Sequence, residues 1–182
     1  MLEKNSRVAA ETMLLCRVQD VLAKPVVVRI AQGMSVFGEH SAGWLALGAI
    51  GVLVDRKRRK DWIVAAGGVF AAHAASVAVK RVVKRQRPAD PNVRVLVGTP
   101  SRLSFPSAHA TSTTAAAVLY GGLIGRRLEP VLVPPMLASR MVLGVHYPSD
   151  VLVGSALGAT IGGLLRRRLT RGKRLRRSDR EQ

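Results

Sequence analysis

Five apolar stretches, built mostly from Ala, Val, Leu and Gly and separated by blocks of Lys and Arg, limit what this chain can fold into. They cover about 41–54, 62–79, 108–125, 131–145 and 151–165. None shows sustained period-two alternation, so strands are not expected. Aromatic residues make up 4 % of a chain that is 48 % hydrophobic, whereas a soluble core of this size normally takes its bulk from Phe and Tyr. Small residues at this density suit helices packed closely within a bilayer. The stretches are short against the ~20 residues of a full span, so several must borrow flanking residues. The expected fold is all-α: an integral membrane helical bundle of five to six spans.

The sixth candidate is the segment 7–37, which carries Asp20, Lys24 and Arg29 among Val and Leu. It reads either as an amphipathic helix lying at the interface or as a partial span. The chain therefore divides into an N-terminal segment 1–39, a membrane domain 40–168 and a basic tail 169–182. Gly154, Gly158 and Gly162 recur every four residues, as do Gly121 and Gly125; this spacing predicts close helix–helix approach. Trp44 and Trp62 suit interfacial belts. Cys16 is the single cysteine, which excludes an intrachain disulfide; it reads as a small buried side chain. The N-terminus lacks an apolar run ending in a small-residue cleavage site, so no cleavable signal peptide is expected.

The formal net charge of +18 invites either a nucleic-acid or an anionic-membrane reading. The cations fall in blocks between apolar stretches, which favours the membrane and argues against nucleic acid. One cluster is 55–61, another is Arg126-Arg127, and the tail after Leu165 has nine Lys or Arg against two acids. Five alternating spans bring these three regions to one side, which the positive-inside rule makes the cytoplasmic one. The tail reads as a solvated, partly disordered anchor to anionic lipid headgroups. The segments 80–107 and 146–150 then face the other side, where Lys80, Arg81, Lys84, Arg85, Arg87, Arg94 and Arg102 break the charge rule. A site for anions explains that exception.

Three short segments supply such a site: Lys80 with Arg87-Pro88, Pro106-Ser107-Ala108-His109, and Ser139-Arg140 followed by His146 and Asp150. On a helix, Lys80, Lys84 and Arg87 share one face and Pro88 ends it. Two long cations on one face can converge on a phosphate. Ser107 reads as the N-cap of the helix that follows, a place where free N–H groups and the helix dipole favour an anion. His109 stands in its first turn. Pro148 suits the start of the next helix, leaving His146 in the connection and Asp150 at the helix start. A carboxylate beside an imidazole can fix its tautomer and leave the other nitrogen free to attack. His73, inside a span, reads as a packing histidine with a functional suspicion attached; Glu39-His40 reads as interfacial. No His-Glu-x-x-His spacing and no Gly-rich nucleotide loop occurs.

With the three segments together, the chain resembles the type 2 phosphatidic acid phosphatase (PAP2) superfamily. Its pattern is Lys, six residues, Arg-Pro; then Pro-Ser-Gly-His; then Ser-Arg, five residues, His, three residues, Asp. Every spacing recurs here in order, and Ala108 replaces the usual Gly. The resemblance covers about 40–168. It implies that His146 is the nucleophile forming a phosphohistidine, that Asp150 orients it, and that His109 protonates the leaving oxygen and then activates water. Lys80, Arg87, Ser107, Arg140 and the backbone N–H of Ala108 would hold the phosphoryl oxygens. No metal or other cofactor is implied. The added methyl group of Ala108 leaves the N–H donor in place, so activity is expected to survive it.

The stretch 103–114 and the short, Arg- and Ala-rich chain are similar to the actinobacterial decaprenylphosphoryl-5-phosphoribose phosphatases, which serve the synthesis of cell-wall arabinan precursors. Prenyl diphosphate and phosphatidylglycerol phosphate are the alternative substrates. A vanadate-dependent haloperoxidase shares the three segments, but a longer soluble chain would be expected. A non-enzymatic basic membrane protein is the remaining reading. Head group, prenyl length and oligomeric state are not read from the residues.

Overall fold

The structure, a computed structural model, describes residues 2–178. Among them there are seven α-helices and an isolated bridge between Gln86 and Leu103, with no strand. The helices are α1 (Leu2–Leu22), α2 (Pro25–Gly38), α3 (Ala42–Val54), α4 (Arg59–Val83), α5 (Ala108–Ile124), α6 (Glu129–Val142) and α7 (Pro148–Ser178). Three segments are long and apolar enough to cross a membrane: Pro25–Val54, which is α2 and α3 together, Arg56–Val83 and Pro148–Thr170.

Helix α5 is the central element, with buried residues on every face. Its sequence explains how it can be. Ala, Gly, Ser and Thr let neighbouring backbones approach, and the buried hydroxyls return to their own helix: Thr111 Oγ1 donates to the Ser107 carbonyl at 2.9 Å and Ser112 Oγ to that of Ala108 at 3.0 Å. Helix α7 lies against it through the predicted glycine ridge. A Cβ at Gly154 would stand 2.6 Å from the Ser107 carbonyl, and one at Gly158 would overlap that of Thr111. The second glycine pair does otherwise. Gly121 packs against the turn at Arg126, and Gly125 ends α5 with φ 71° and open space around it, a left-handed helix stop rather than a helix contact.

Trp62 and Leu123 close one end of the bundle, and Trp44, Val69, Leu119 and Tyr120 carry the same core inward. Both tryptophans are buried here, not in a lipid-facing belt: Trp44 Nε1 donates to Thr113 Oγ1 at 3.1 Å and Trp62 Nε1 to Asp55 Oδ2 at 3.1 Å. The indole N–H groups found partners inside the protein, which removes the reason to seek the interface. The basic clusters gather at this end. Arg58 donates to the Leu123 carbonyl, and Arg166 is 4.0 Å from Glu129.

The N-terminal segment comprises α1 and α2, parted by Ala23-Lys24 before Pro25. Helix α1 docks on protein through buried Leu15 and Gln19. The Gln19 amide donates to the carbonyls of Arg94 (2.7 Å) and Val142 (3.0 Å) and accepts from the Arg94 N–H (3.0 Å), tying the 84–107 loop to α6. Cys16 is half-buried, its Sγ 3.7 Å from the Asn92 carbonyl. The tail, expected to be partly disordered, continues α7 as helix through Ser178, because no proline interrupts it and Arg, Lys and Leu are good helix formers. Residues 179–182 lie outside the described residues.

Candidate active site

At the end of the bundle opposite Trp62 lies a cavity of about 450 Å³. Lys80, Arg87, Ala108, His109, Arg140 and His146 all line it. Five elements therefore bring the three sequence segments together: α4, the 84–107 loop, the start of α5, the end of α6 and the α6–α7 turn.

Lys80 and Arg87 converge by a different route from the one their spacing suggests. Helix α4 stops at Val83, Lys84 turns left-handed with φ 54°, and Arg87 lies on an extended segment. That segment pairs with the strand-like stretch 102–104: the Arg87 N–H donates to the Arg102 carbonyl (3.1 Å) and the Ser104 N–H to that of Arg85 (2.8 Å). Pro88 forbids helix at the residue before it, which leaves Arg87 to the loop. Lys80 Nζ donates to the carbonyls of Leu103 (3.1 Å) and Ser104 (3.2 Å). Arg87 donates from Nε to Ser101 (2.8 Å) and from Nη1 to Val145 (2.6 Å). Both cations are thus held in place by loop carbonyls.

Arg140 is different. It is 1 % exposed, and its Nε and Nη1 have no hydrogen-bond partner. A buried guanidinium with idle donors costs several kcal/mol unless an anion meets it. The cavity is where that anion can sit.

The two histidines are fixed in complementary tautomers. Arg87 Nη1, a donor only, stands 3.2 Å from His146 Nε2, so Nε2 presents its lone pair to the clamp and Nδ1 carries the proton. Burial, with Arg87, Arg140 and Lys80 nearby, holds the His146 pKa well below its ordinary value and keeps the ring neutral. The carbonyl of Ser35 can only accept, so His109 Nε2, 2.9 Å away, donates to it and leaves Nδ1 for proton transfer. Ser107 caps α5, its Oγ accepting weakly from the Ala110 N–H at 3.5 Å. Its own N–H donates to the Asp150 carbonyl at 2.9 Å, which locks the two motifs together.

Asp150 stands 3.6 Å from His146 Nδ1, beyond hydrogen-bond length. Its Oδ2 accepts the Tyr147 N–H (2.8 Å) and its Oδ1 accepts from Arg85 (3.0 Å). It therefore acts on the imidazole through charge across a short gap. Arg85 also pairs with Glu11 of α1, donates to Ser149 Oγ (2.6 Å) and lies 4.1 Å from the centre of the Tyr147 ring. Burial raises the Glu11 pKa, but hydrogen bonds from Ser149 and Arg85 outweigh it and hold it ionised. Sequence reading counted Arg85 only as surface charge and passed over Glu11, because their contact joins residues 74 apart. Replacing Arg85 with Met should lower kcat by about tenfold to a hundredfold through misplacement of Asp150, with KM little changed; phosphate-release kinetics on purified protein would measure both.

Glu39, His40 and His73 also line the cavity. Glu39 and His40 lie at the site itself because α2 ends against it, and His73 reaches it from α4. A Cβ on Gly38 would come 2.6 Å from His109 Cδ2. Gly38→Ala should displace that ring and reduce turnover of a lipid alkyl phosphate about tenfold or more. An aryl phosphate, whose leaving group needs no proton, should be spared. Equal loss on both substrates would contradict the assignment of the proton to His109.

A second space, an apolar groove of about 870 Å³, begins at Met34 and Phe37 beside Ser35. It runs along α3 to Val54, Trp62 and Leu128, about 20 Å by helical rise. No group of three or more potential metal ligands occurs among the described residues.

Comparison with known proteins gives concordant results. The sequence model of the PAP2 superfamily matches residues 61–173. A decaprenylphosphoryl-5-phosphoribose phosphatase of Mycobacterium tuberculosis is 54 % identical over 156 residues, 85 % of this chain and 88 % of that one. The protein of the same name from Mycolicibacterium smegmatis is 57 % identical over 145 residues, 79 % of this chain and 81 % of that one. Among solved structures, the transmembrane PAP2-type phosphatidylglycerolphosphate phosphatase of Bacillus subtilis superposes with a TM-score of 0.74 at 22 % identity, covering 88 % of this chain and 85 % of that one. Aquifex aeolicus LpxE gives 0.66 at 20 % identity, covering 85 % and 93 %. Both likenesses concern the fold.

Proposed function

The chain belongs to the PAP2 superfamily, and from that premise we propose that it dephosphorylates decaprenylphosphoryl-5-phosphoribose through a phosphohistidine, at the outer face of the plasma membrane. That it is a membrane phosphoric monoester hydrolase follows from the superfamily and from its relatives. The observation that carries the reading is Arg140, a buried cation with idle donors on a cavity it shares with His146.

In the proposed reaction the ester phosphate displaces the carbonyls now held by Lys80 and Arg87 and satisfies Arg140. The Ser107 hydroxyl and the Ala108 N–H complete the cradle at the start of α5. His146 Nε2 attacks phosphorus as the P–O bond to the alcohol breaks, and His109 Nδ1 relays to the departing oxygen the proton that the phosphate monoester monoanion brings into the site. Positive charge left on His146 is stabilised by Asp150, which Arg85 and Glu11 hold in position. Water, deprotonated by His109, then attacks the phosphohistidine, releasing phosphate and restoring both rings. The fixed cations stabilise charge that grows on the equatorial oxygens. The apolar groove takes the prenyl chain, its mouth one residue from the carbonyl that orients His109.

The basic clusters gathered at the far end make that end cytoplasmic by the positive-inside rule, with the helical tail against anionic headgroups. The substrate is tested by phosphate release in EDTA from decaprenylphosphoryl-phosphoribose, decaprenyl diphosphate, phosphatidic acid and phosphatidylglycerol phosphate. The phosphoribose lipid should lead by about tenfold or more in kcat/KM. A lead for another lipid would discard the substrate and keep the mechanism.

A further inference from the structure

We infer that Glu39, His40 and His73 form a second subsite in the active-site cavity, one that recognises the hydroxyl groups of a sugar between the scissile phosphate and the lipid chain. The inference rests on the phosphoribose reading above, and it names the residues that would make that reading true.

The sign of the charge is the first ground. Apart from Glu39, the charged residues lining the cavity are Lys80, Arg81, Arg87 and Arg140. A carboxylate there repels a phosphate, so phosphate binding gives no reason for it. Its natural partner is a group that donates hydrogen bonds without carrying positive charge, and a vicinal diol is such a group. Acidic side chains take ribose hydroxyls in the same way in dinucleotide sites. The Glu39 carboxylate has no hydrogen bond or ion pair among the described residues; its recorded influence is a longer-range one on Arg140.

The second ground is an idle donor-acceptor. His73 projects from the apolar helix α4, and its Nδ1 is buried without a hydrogen-bond partner. The His40 ring lies 6.3 Å from it, centre to centre, tilted by 48°. Neither ring contacts the other closely enough to satisfy it. An intramembrane histidine left unsatisfied is costly unless a ligand completes it.

The third ground is the backbone. His40 and Ser41 adopt φ of 49° and 63°, both left-handed and both non-glycine. Both are strained conformations for residues that carry a Cβ. The pair forms the kink between α2 and α3 that turns Glu39 and His40 toward the cavity. Two successive strained residues at this point indicate that the placement of those side chains is worth the cost. The subsite also lies on the correct side: Ser35 and Gly38, which touch His109, belong to the same helix end, and the apolar groove opens next to it at Phe37. Phosphate, sugar and prenyl chain thus have adjoining places in that order.

The test compares two short-prenyl lipids, phosphoryl-ribose 5-phosphate and its 2,3-dideoxy counterpart, on native protein, Glu39→Gln and His73→Leu. The readout is the ratio of kcat/KM for the two lipids, which cancels any loss common to both. Native protein should favour the hydroxylated lipid by about tenfold or more, and each variant should shrink that ratio to about threefold or less. A native protein that hydrolyses both lipids equally overturns the subsite and leaves the phosphatase reading standing. A ratio unchanged in both variants assigns Glu39 to Arg140 alone and likewise overturns it. No turnover of either phosphoribose lipid, with prenyl diphosphate hydrolysed, overturns the substrate reading and the subsite together.

Discussion

His146→Ala is expected to reduce phosphate release by about 10⁴-fold or more, to background, while the protein still inserts and elutes as the native form. The size follows from the role: His146 Nε2 stands 3.2 Å from Arg87 of the clamp, whereas His109 has its Nε2 on Ser35 and its Nδ1 reserved for proton transfer. Labelled lipid phosphate, quenched in base, should leave an acid-labile label on native protein and none on the variant. Asp150→Asn should still be labelled, but more slowly, because the carboxylate acts across 3.6 Å through its charge. A label that persists in His146→Ala would move the nucleophile elsewhere.

Arg140→Met should separate function from stability. Turnover should fall by about 10²- to 10³-fold, the usual consequence of removing one donor to transition-state charge. The ligand-free thermal midpoint in detergent should hold or rise, because a buried cation with two idle nitrogens is replaced by an apolar chain of similar length. Native protein should be stabilised by phosphate or vanadate, as any ligand of the folded state stabilises it; the variant should lose that shift. A large fall in midpoint without ligand would mean that Arg140 serves the fold, and the clamp would then rest on Lys80 and Arg87.

Much of the site was legible because its chemistry is carried by short segments of fixed spacing. Pro106 to His109 had to open a helix, and His146 with Asp150 had to straddle the start of another, since proline and serine have few alternatives there. The glycine ridge of α7 was legible for the same local reason. The Lys80–Arg87 pair was right in outcome and wrong in route: helical periodicity gave way to a loop that pairs with residues 102–104, and no local signal announces that partner. The tryptophans were misplaced because their N–H groups found acceptors inside the protein, Thr113 on α5 for Trp44 and Asp55 in the α3–α4 connection for Trp62.

The sequence by itself determined the fold class, the membrane setting and which short segments meet at the cavity, all properties of composition, apolar length and local spacing. Tertiary structure alone decided the rest. It brought Arg85, paired with Glu11, to Asp150, set Ser35 against His109, turned Glu39 and His40 from an apparent interface into the wall of the cavity, and put the in-span His73 beside them. These are contacts between residues far apart in the chain. Their energy comes from desolvating and pairing polar groups when helices dock, and no periodicity along a single segment records which groups will meet.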